Sequence, residues 1–101
     1  MRRPILRPIK VRVDAGMLVL GQVEVSDNSD PLGRREENVL SGRIALGECL
    51  GRSWMGVSAA RIAREIASQL GDAELYQDIL DAWLEYHSNA ALVRDIRKAL
   101  S

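Results

Sequence analysis

The chain has 101 residues, of which 47% are hydrophobic and 28% charged, with 14 Lys and Arg against 14 Asp and Glu. This length and apolar fraction fit one globular domain and argue against a disordered chain, a collagen-like repeat or a two-domain enzyme. The single cysteine, Cys49, cannot form an intrachain disulfide, and it excludes metal sites built on cysteine pairs.

The charges sum to zero but are separated along the chain. Residues 1–12 carry five basic side chains and no acidic one, whereas residues 72–87 carry five acidic side chains and no Lys or Arg. Zero net charge argues against a protein whose whole surface binds phosphate backbones, because that affinity depends on an excess of Lys and Arg. We therefore expect a molecule with a basic end and an acidic end. The basic residues are Arg2, Arg3, Arg7, Lys10 and Arg12.

The basic N-terminal stretch does not have the pattern of a targeting segment. A signal peptide needs an unbroken apolar run after its charges, and here Pro8, Lys10, Arg12 and Asp14 interrupt the sequence. The longest apolar stretch nearby, residues 17–20, is far too short to span a bilayer. We expect a cytoplasmic protein that does not bind membranes.

Residues 5–25 predict a β-hairpin, because apolar and polar side chains alternate on both sides of residues 14–16. Gly16 supplies the positive φ that a three-residue loop with a bulge requires. The register that follows pairs Val11 with Val19, Val13 with Met17, Arg12 with Leu18 and Lys10 with Leu20.

The second face of this hairpin would be half apolar. A two-stranded ribbon is only marginally stable alone, so we expect its first face to lie on helices. The face with Leu18 and Leu20, or the free strand edge, would then pair with another copy of the chain. This pattern predicts a homodimer.

Turn-forming residues at 26–33 end the hairpin, and Asp30 followed by Pro31 is a good helix start, with an acidic cap and proline at the first helical position. Residues 41–51 fit either a helix or a third strand. Their glycines weaken both elements by about 0.5 to 1 kcal/mol each relative to Ala. We favour a helix with closely packed glycines, namely Gly42, Gly47 and Gly51.

Two further helices have clearer patterns. Residues 58–70 have an alanine-rich apolar face and Gly71 at the end. A helix over residues 72–87 would carry a broad apolar face, and Ser88 or Asn89 would cap a last helix. The predicted buried face of the 72–87 helix comprises Leu75, Tyr76, Ile79, Leu80, Trp83, Tyr86 and His87.

Together these elements predict an α+β fold, in which an N-terminal β-hairpin is followed by a small three- or four-helix antiparallel bundle. We expect a single domain over residues 1–101, divided into a hairpin (1–26), a linker turn (27–33) and a helical region (34–101).

Motifs for catalysis or cofactor binding are absent from the sequence. There is no glycine-rich phosphate loop, G-x-S-x-G elbow, H-E-x-x-H or paired-cysteine motif, and residues 51–56 resemble a nucleophile turn only with the glycine one position late. Cys49 with His87 could form a thiolate pair, but a lone cysteine is usually a small buried hydrophobe. We predict no catalytic residue, no metal site and no cofactor.

Four carboxylates, Glu74, Asp78, Asp81 and Glu85, are spaced 4, 3 and 4 apart. On a helix they would form one stripe away from the apolar face, which we call the acid row. Neighbouring like charges cost on the order of 0.2 to 0.5 kcal/mol per pair. The row is a solvated face, a docking strip for a basic partner, or a contact to Arg7, Lys10 and Arg12 of the same or a second chain. A metal site is disfavoured because carboxylates along one helix do not converge on a point.

DNA binding is the main competing interpretation. The helices at 58–70 and 72–87 imitate a helix-turn-helix, but the second of them would bring five carboxylates toward phosphates and no Arg or Lys toward a base. A nucleic-acid role would have to use the basic end, with Arg2, Arg3 and Arg7 in a minor groove or Lys10 and Arg12 on a β-ribbon.

We therefore expect a small non-enzymatic protein-protein interaction or regulatory module, of the kind that bacteria and phages often encode. It would dock a protein partner with a basic surface through the acid row. The alternative is a small DNA-binding transcriptional regulator that uses the basic N-terminal hairpin.

Overall fold

A computed structural model describes residues 5–52 and 58–86 of the chain. It contains an antiparallel hairpin of strands β1 (Ile5–Val13) and β2 (Gly16–Val25), followed by helices α1 (Pro31–Arg52), α2 (Ala59–Gln69) and α3 (Leu75–Tyr86). The predicted α+β class, with an N-terminal hairpin before the helices, is confirmed. Three predictions lie outside the described residues. They concern the last helix, which was predicted to start at Ser88 or Asn89, the side chain of His87, and the basic residues Arg2 and Arg3.

The elements are arranged in layers. β1 packs against α2, β2 packs against α1, and α3 packs against both α1 and α2. The inner face of the hairpin and the facing sides of the helices enclose one apolar core. Its largest fully buried side chains include Ile9, Leu46, Ile62, Ile66 and Ile79. In the described residues, no helix combines the length and the apolar character needed to cross a membrane.

The predicted hairpin register is wrong by one residue next to the turn. Val11 pairs with Leu18, Arg12 with Met17 and Lys10 with Val19, and only Asp14 and Ala15 connect the strands. Gly16 has a φ of +123°, as predicted, but it belongs to β2 opposite Val13 rather than to a three-residue loop.

A bulge in the middle of the hairpin explains the shift. Between the pairs Lys10–Val19 and Ile9–Gly21, Leu20 is an extra residue on β2. A bulge reverses the alternation of faces beyond it. Leu18 and Leu20 therefore point inward before the bulge and Val23 after it, while Gln22 stays outside.

Because of the bulge, the side chains on the outer face of the hairpin differ from the predicted ones. Leu20 is buried and Leu18 packs against the core, so neither forms an exposed apolar face as expected. The apolar side chains that do face outward near the turn are Met17 and Val19, which are 58% and 60% exposed. The sequence pattern predicts the wrong outward side chains near the turn, because an unbroken alternation through Gly21 leaves no place for the bulge.

Helix side chains bind backbone groups along both strands. The Arg61 guanidinium on α2 donates a hydrogen bond to the Arg12 carbonyl of β1. On the other side, the Ser41 hydroxyl on α1 donates to the Glu24 carbonyl of β2 at 2.7 Å. Each strand of a two-stranded sheet has one edge without a β partner, and the flanking helices occupy part of that backbone here.

Helix α1 begins where the sequence predicts. The Asp30 carboxylate accepts a hydrogen bond from the Gly33 amide at 3.2 Å, and Pro31 occupies the first helical position. Residues 41–51, which fit either a helix or a third strand in the sequence, are helical, since α1 continues to Arg52. Its start at Pro31 places the end of the predicted linker turn inside the helix.

Helix α2 has both of its predicted ends. The Ser58 hydroxyl accepts from the Arg61 amide at 3.3 Å, and Gly71 follows the helix with a φ of +84°. The Asp72 amide donates to the Ala67 carbonyl and the Gly71 amide to the Ser68 carbonyl, both at 3.1 Å. These two bonds form a Schellman motif, which requires the left-handed conformation that glycine adopts readily.

Helix α3 is shorter than predicted, because it starts at Leu75 and not at Asp72. The Asp72 carboxylate instead accepts from the Glu74 amide at 3.1 Å, in the turn before the helix. Tyr86 was expected on the buried face but is 71% exposed, whereas Leu84, which was not expected there, is buried. Because α3 packs against both α1 and α2, its buried face is wider than a single narrow stripe of apolar side chains.

Candidate functional site

The acid row lies mostly at the surface, as the helical spacing predicted. Asp78, Asp81 and Glu85 are on α3, and Glu74 is in the turn directly before it. Glu74, Asp81 and Glu85 are exposed, and Asp78 is half-buried. Three carboxylates of the row are thus accessible to a partner.

One arginine of α1 binds the N-terminal end of this acidic surface. Arg35 forms ion pairs with Asp78 and, at 3.7 Å, with Asp72. Within the described part of the chain, Asp78 is the only member of the acid row in an ion pair. Asp81 accepts a hydrogen bond from the Gln77 side-chain amide at 3.4 Å and has no ion pair with any described cation. Among the residues that the structure describes, cations therefore neutralise part of the row and not the whole.

A second charged surface lies between β1 and α2. Lys10 and Arg12 on β1 line a shallow depression together with Arg61 and Arg64 on α2. The depression has a volume of about 340 Å³, and the one carboxylate that lines it is Glu65. Four cations thus converge from two elements that are far apart in sequence.

The α2 arginines in this basic surface are held by other parts of the fold. Arg61 binds the Arg12 carbonyl. The Arg64 guanidinium lies 5.1 Å from the centroid of the Tyr76 ring, a distance typical of a cation–π contact. Glu65 accepts a hydrogen bond from the Gln69 side-chain amide at 2.8 Å, so its carboxylate is oriented toward its own helix.

The sequence did not identify Arg61 and Arg64 as site residues. They appeared only as part of the polar side of an amphipathic helix, and their position beside Lys10 and Arg12 depends on how α2 packs against β1. The predicted basic residue Arg7 is exposed farther along β1, opposite Val23, and does not line the depression.

An apolar groove runs along the surface where α1 and α3 meet. It has a volume of about 490 Å³ and is lined by Ile44, Gly47, Trp83 and Tyr86 among others. The Arg43 guanidinium lies 4.2 Å from the centroid of the Tyr86 ring at its border. Ile44 and Tyr86 are both more than half exposed.

The described residues contain no cluster of three or more His, Cys, Asp or Glu side chains that could hold a metal ion. Cys49 is 1% exposed, and its Sγ lies 3.7 Å from the position that a Cβ would take at Gly21. This places Cys49 in the core between α1 and β2. The proposed partner in a thiolate pair, His87, lies outside the described residues.

Comparisons with protein-family models, with curated proteins and with solved structures give no match. The fold defines a small α+β domain with two charged surfaces.

Proposed function

We propose that this chain is a non-enzymatic protein-protein interaction or regulatory module that docks a basic surface of a partner protein through the acid row. The observation that carries the proposal is the exposure of Glu74, Asp81 and Glu85, with no ion pair to any of them in the described part of the chain. Asp78 contributes less, because Arg35 already compensates its charge.

Electrostatics explains why a basic partner suits this surface. Glu74 in the turn before α3 and Asp81 and Glu85 on α3 are exposed like charges that repel one another, and Lys or Arg from a partner relieves that repulsion. Opposite potentials also raise the rate of encounter, by a factor that falls steeply with ionic strength. The complex should therefore form fast and weaken as salt is added.

The test compares two variants with equal changes in charge. Glu74→Lys/Asp81→Lys/Glu85→Lys reverses the row, and Asp14→Lys/Glu24→Lys/Glu36→Lys reverses three exposed carboxylates elsewhere on the surface. Partners of the wild type are captured from lysate and identified, and the affinity of the purified partner is measured at rising salt. The proposal requires a basic partner whose binding the row variant loses and the control variant keeps. Equal binding by both variants would contradict it.

A homodimer and a cytoplasmic location remain parts of the proposal. Because Leu18 and Leu20 face inward, a dimer through the hairpin would use the outward-facing Met17 and Val19. Light scattering of the wild type and of Val19→Lys checks this expectation, since a lysine on a dimer interface should shift the protein to a monomer. A wild type that is monomeric at high concentration would contradict the dimer.

DNA binding by the basic hairpin is the alternative function, and one specific observation favours it. Lys10 and Arg12 are both exposed on the outward face of the two-stranded ribbon. A gel shift with wild type and with Arg7→Ala/Lys10→Ala/Arg12→Ala at two salt concentrations tests it, because phosphate contacts give a steep salt dependence. The absence of any shift at low salt would eliminate this alternative.

A further inference from the structure

We infer that the basic surface shared by β1 and α2 binds the phosphate backbone of duplex DNA, with Arg61 and Arg64 contacting phosphates alongside Lys10 and Arg12. This inference rests on the alternative function, DNA binding by the hairpin, and adds a second element to its binding surface. It concerns a different part of the molecule from the acid row.

Positive charge converges in the depression between β1 and α2. Lys10, Arg12, Arg61 and Arg64 line one depression that contains a single carboxylate, so the local charge is strongly positive although the net charge of the chain is zero. That carboxylate, Glu65, is hydrogen-bonded to Gln69 of its own helix. Binding of a polyanion releases the counterions condensed on it, and each phosphate neutralised by Lys or Arg contributes to affinity.

The two arginines of α2 are ordered before any ligand arrives. The Arg61 guanidinium uses one of its five N–H donors on the Arg12 carbonyl and keeps the others for a ligand. The Arg64 guanidinium lies against the Tyr76 ring. An ordered guanidinium loses less conformational entropy on binding, and its planar fork matches two phosphate oxygens at once.

The lining of the depression and the shape of the ribbon favour duplex DNA over a single strand. Binding of single strands relies on aromatic side chains on which the bases stack, and no aromatic residue lines this depression in the described part of the chain. A two-stranded ribbon fits the major groove of duplex DNA. On the outward face of this ribbon, Lys10 lies opposite Val19 and Arg12 opposite Met17. With the ribbon in the groove, α2 at its side would lie along the phosphates.

The experiment measures the affinity of the full chain for a short duplex DNA by fluorescence anisotropy, from about 50 to 200 mM salt. Arg61→Gln/Arg64→Gln should lower the slope of log affinity against log salt by about 1.8, or 0.9 for each lost phosphate contact, and weaken binding roughly 10- to 100-fold at low salt. Lys10→Gln/Arg12→Gln should have a similar effect. The matched control Arg34→Gln/Arg43→Gln removes the same charge from α1 and should leave the slope unchanged.

The outcomes separate the inference from the function on which it rests. If only the Lys10/Arg12 variant loses affinity, the hairpin binds DNA without α2 and the inference is overturned. If the wild type does not bind duplex DNA at low salt, both fail. An equal loss in the α1 control, or tighter binding to single-stranded RNA or to anionic vesicles than to the duplex, also overturns the inference. Should the Arg61/Arg64 variant unfold, as judged by circular dichroism, the single variants Arg61→Gln and Arg64→Gln replace it, each with an expected change in slope of about 0.9.

Discussion

Ile79 of α3 packs directly against Gly42 of α1. A Cβ placed on Gly42 would lie 2.6 Å from Ile79 Cδ1 and 2.8 Å from Ile79 Cγ1, both closer than real contacts allow. Ile79 is fully buried, so it has no open space into which to move. The absence of a side chain at Gly42 thus sets how closely α1 and α3 approach.

Gly42→Ala should therefore destabilise the protein, although alanine is the better helix former. Overpacking a core typically costs about 1 to 3 kcal/mol of the free energy of unfolding. Gly51→Ala is the matched control, because Gly51 is in the same helix and a Cβ there meets no atom within 4 Å. That substitution should stabilise by roughly 0.5 to 1 kcal/mol. Urea denaturation of both variants measures the difference, and equal effects would contradict the close approach.

Asn38 is the one buried polar side chain among the described residues, at 5% exposure. Its Oδ1 accepts a hydrogen bond from the Ser26 amide at 2.9 Å, which joins α1 to the end of β2. Asn38→Ala should lower the free energy of unfolding by about 1 to 3 kcal/mol, since the Ser26 amide would lose its buried acceptor. A change within experimental error would show that solvent replaces this bond. Thermal or urea unfolding provides the measurement.

Gly71→Ala tests the Schellman motif at the end of α2. The φ of +84° at this position strains any side chain with a Cβ, even though nothing lies within 4 Å. We expect a loss of roughly 1 kcal/mol, which arises from the backbone conformation and not from a clash. Replacement by Asn, which tolerates this conformation better, should recover part of the loss. An alanine variant as stable as the wild type would mean that the turn adopts another conformation.

Asp78 and Asp81 offer a direct comparison within the acid row. Asp78→Asn removes the ion pair with Arg35 and should cost less than about 1 kcal/mol, because both side chains are more than 40% exposed. Asp81→Asn removes repulsion and keeps an oxygen that can accept the hydrogen bond from Gln77, so it should be neutral or slightly stabilising. The loss in Asp78→Asn should shrink at high salt. Chemical denaturation at low and high salt measures the free energy of unfolding of both variants. Equal changes in the two would show that the ion pair between Arg35 and Asp78 does not stabilise the protein.

Local sequence patterns predicted much of this fold. The spacing of Ala59, Ile62, Ala63 and Ile66 and a glycine after the helix were enough to define α2. The pair Asp30 and Pro31 likewise marked the start of α1. These features depend on residues within one or two turns of each other, which is why they can be recognised without the tertiary structure.

The features that the sequence did not predict depend on contacts between distant elements. The bulge at Leu20 shows in the sequence only as a change of apolar phase between Leu20 and Val23, and the register near the turn depends on it. The ion pairs of Arg35 and the position of Arg61 depend on how helices pack. Asp81 and Glu85 are exposed, as their helical spacing predicted, whereas Asp78 is half-buried and Glu74 lies in the turn before α3. The basic surface was only half recognised, because its other half comes from α2.

The hydrogen bonds from Arg61 to β1 and from Ser41 to β2 have a consequence for aggregation. Exposed strand borders can recruit extended segments of other chains and seed amyloid growth. Here an invading segment would first have to displace a helix side chain on either flank. Resistance to fibril formation at these two positions should consequently fall when α1 or α2 detaches from the hairpin.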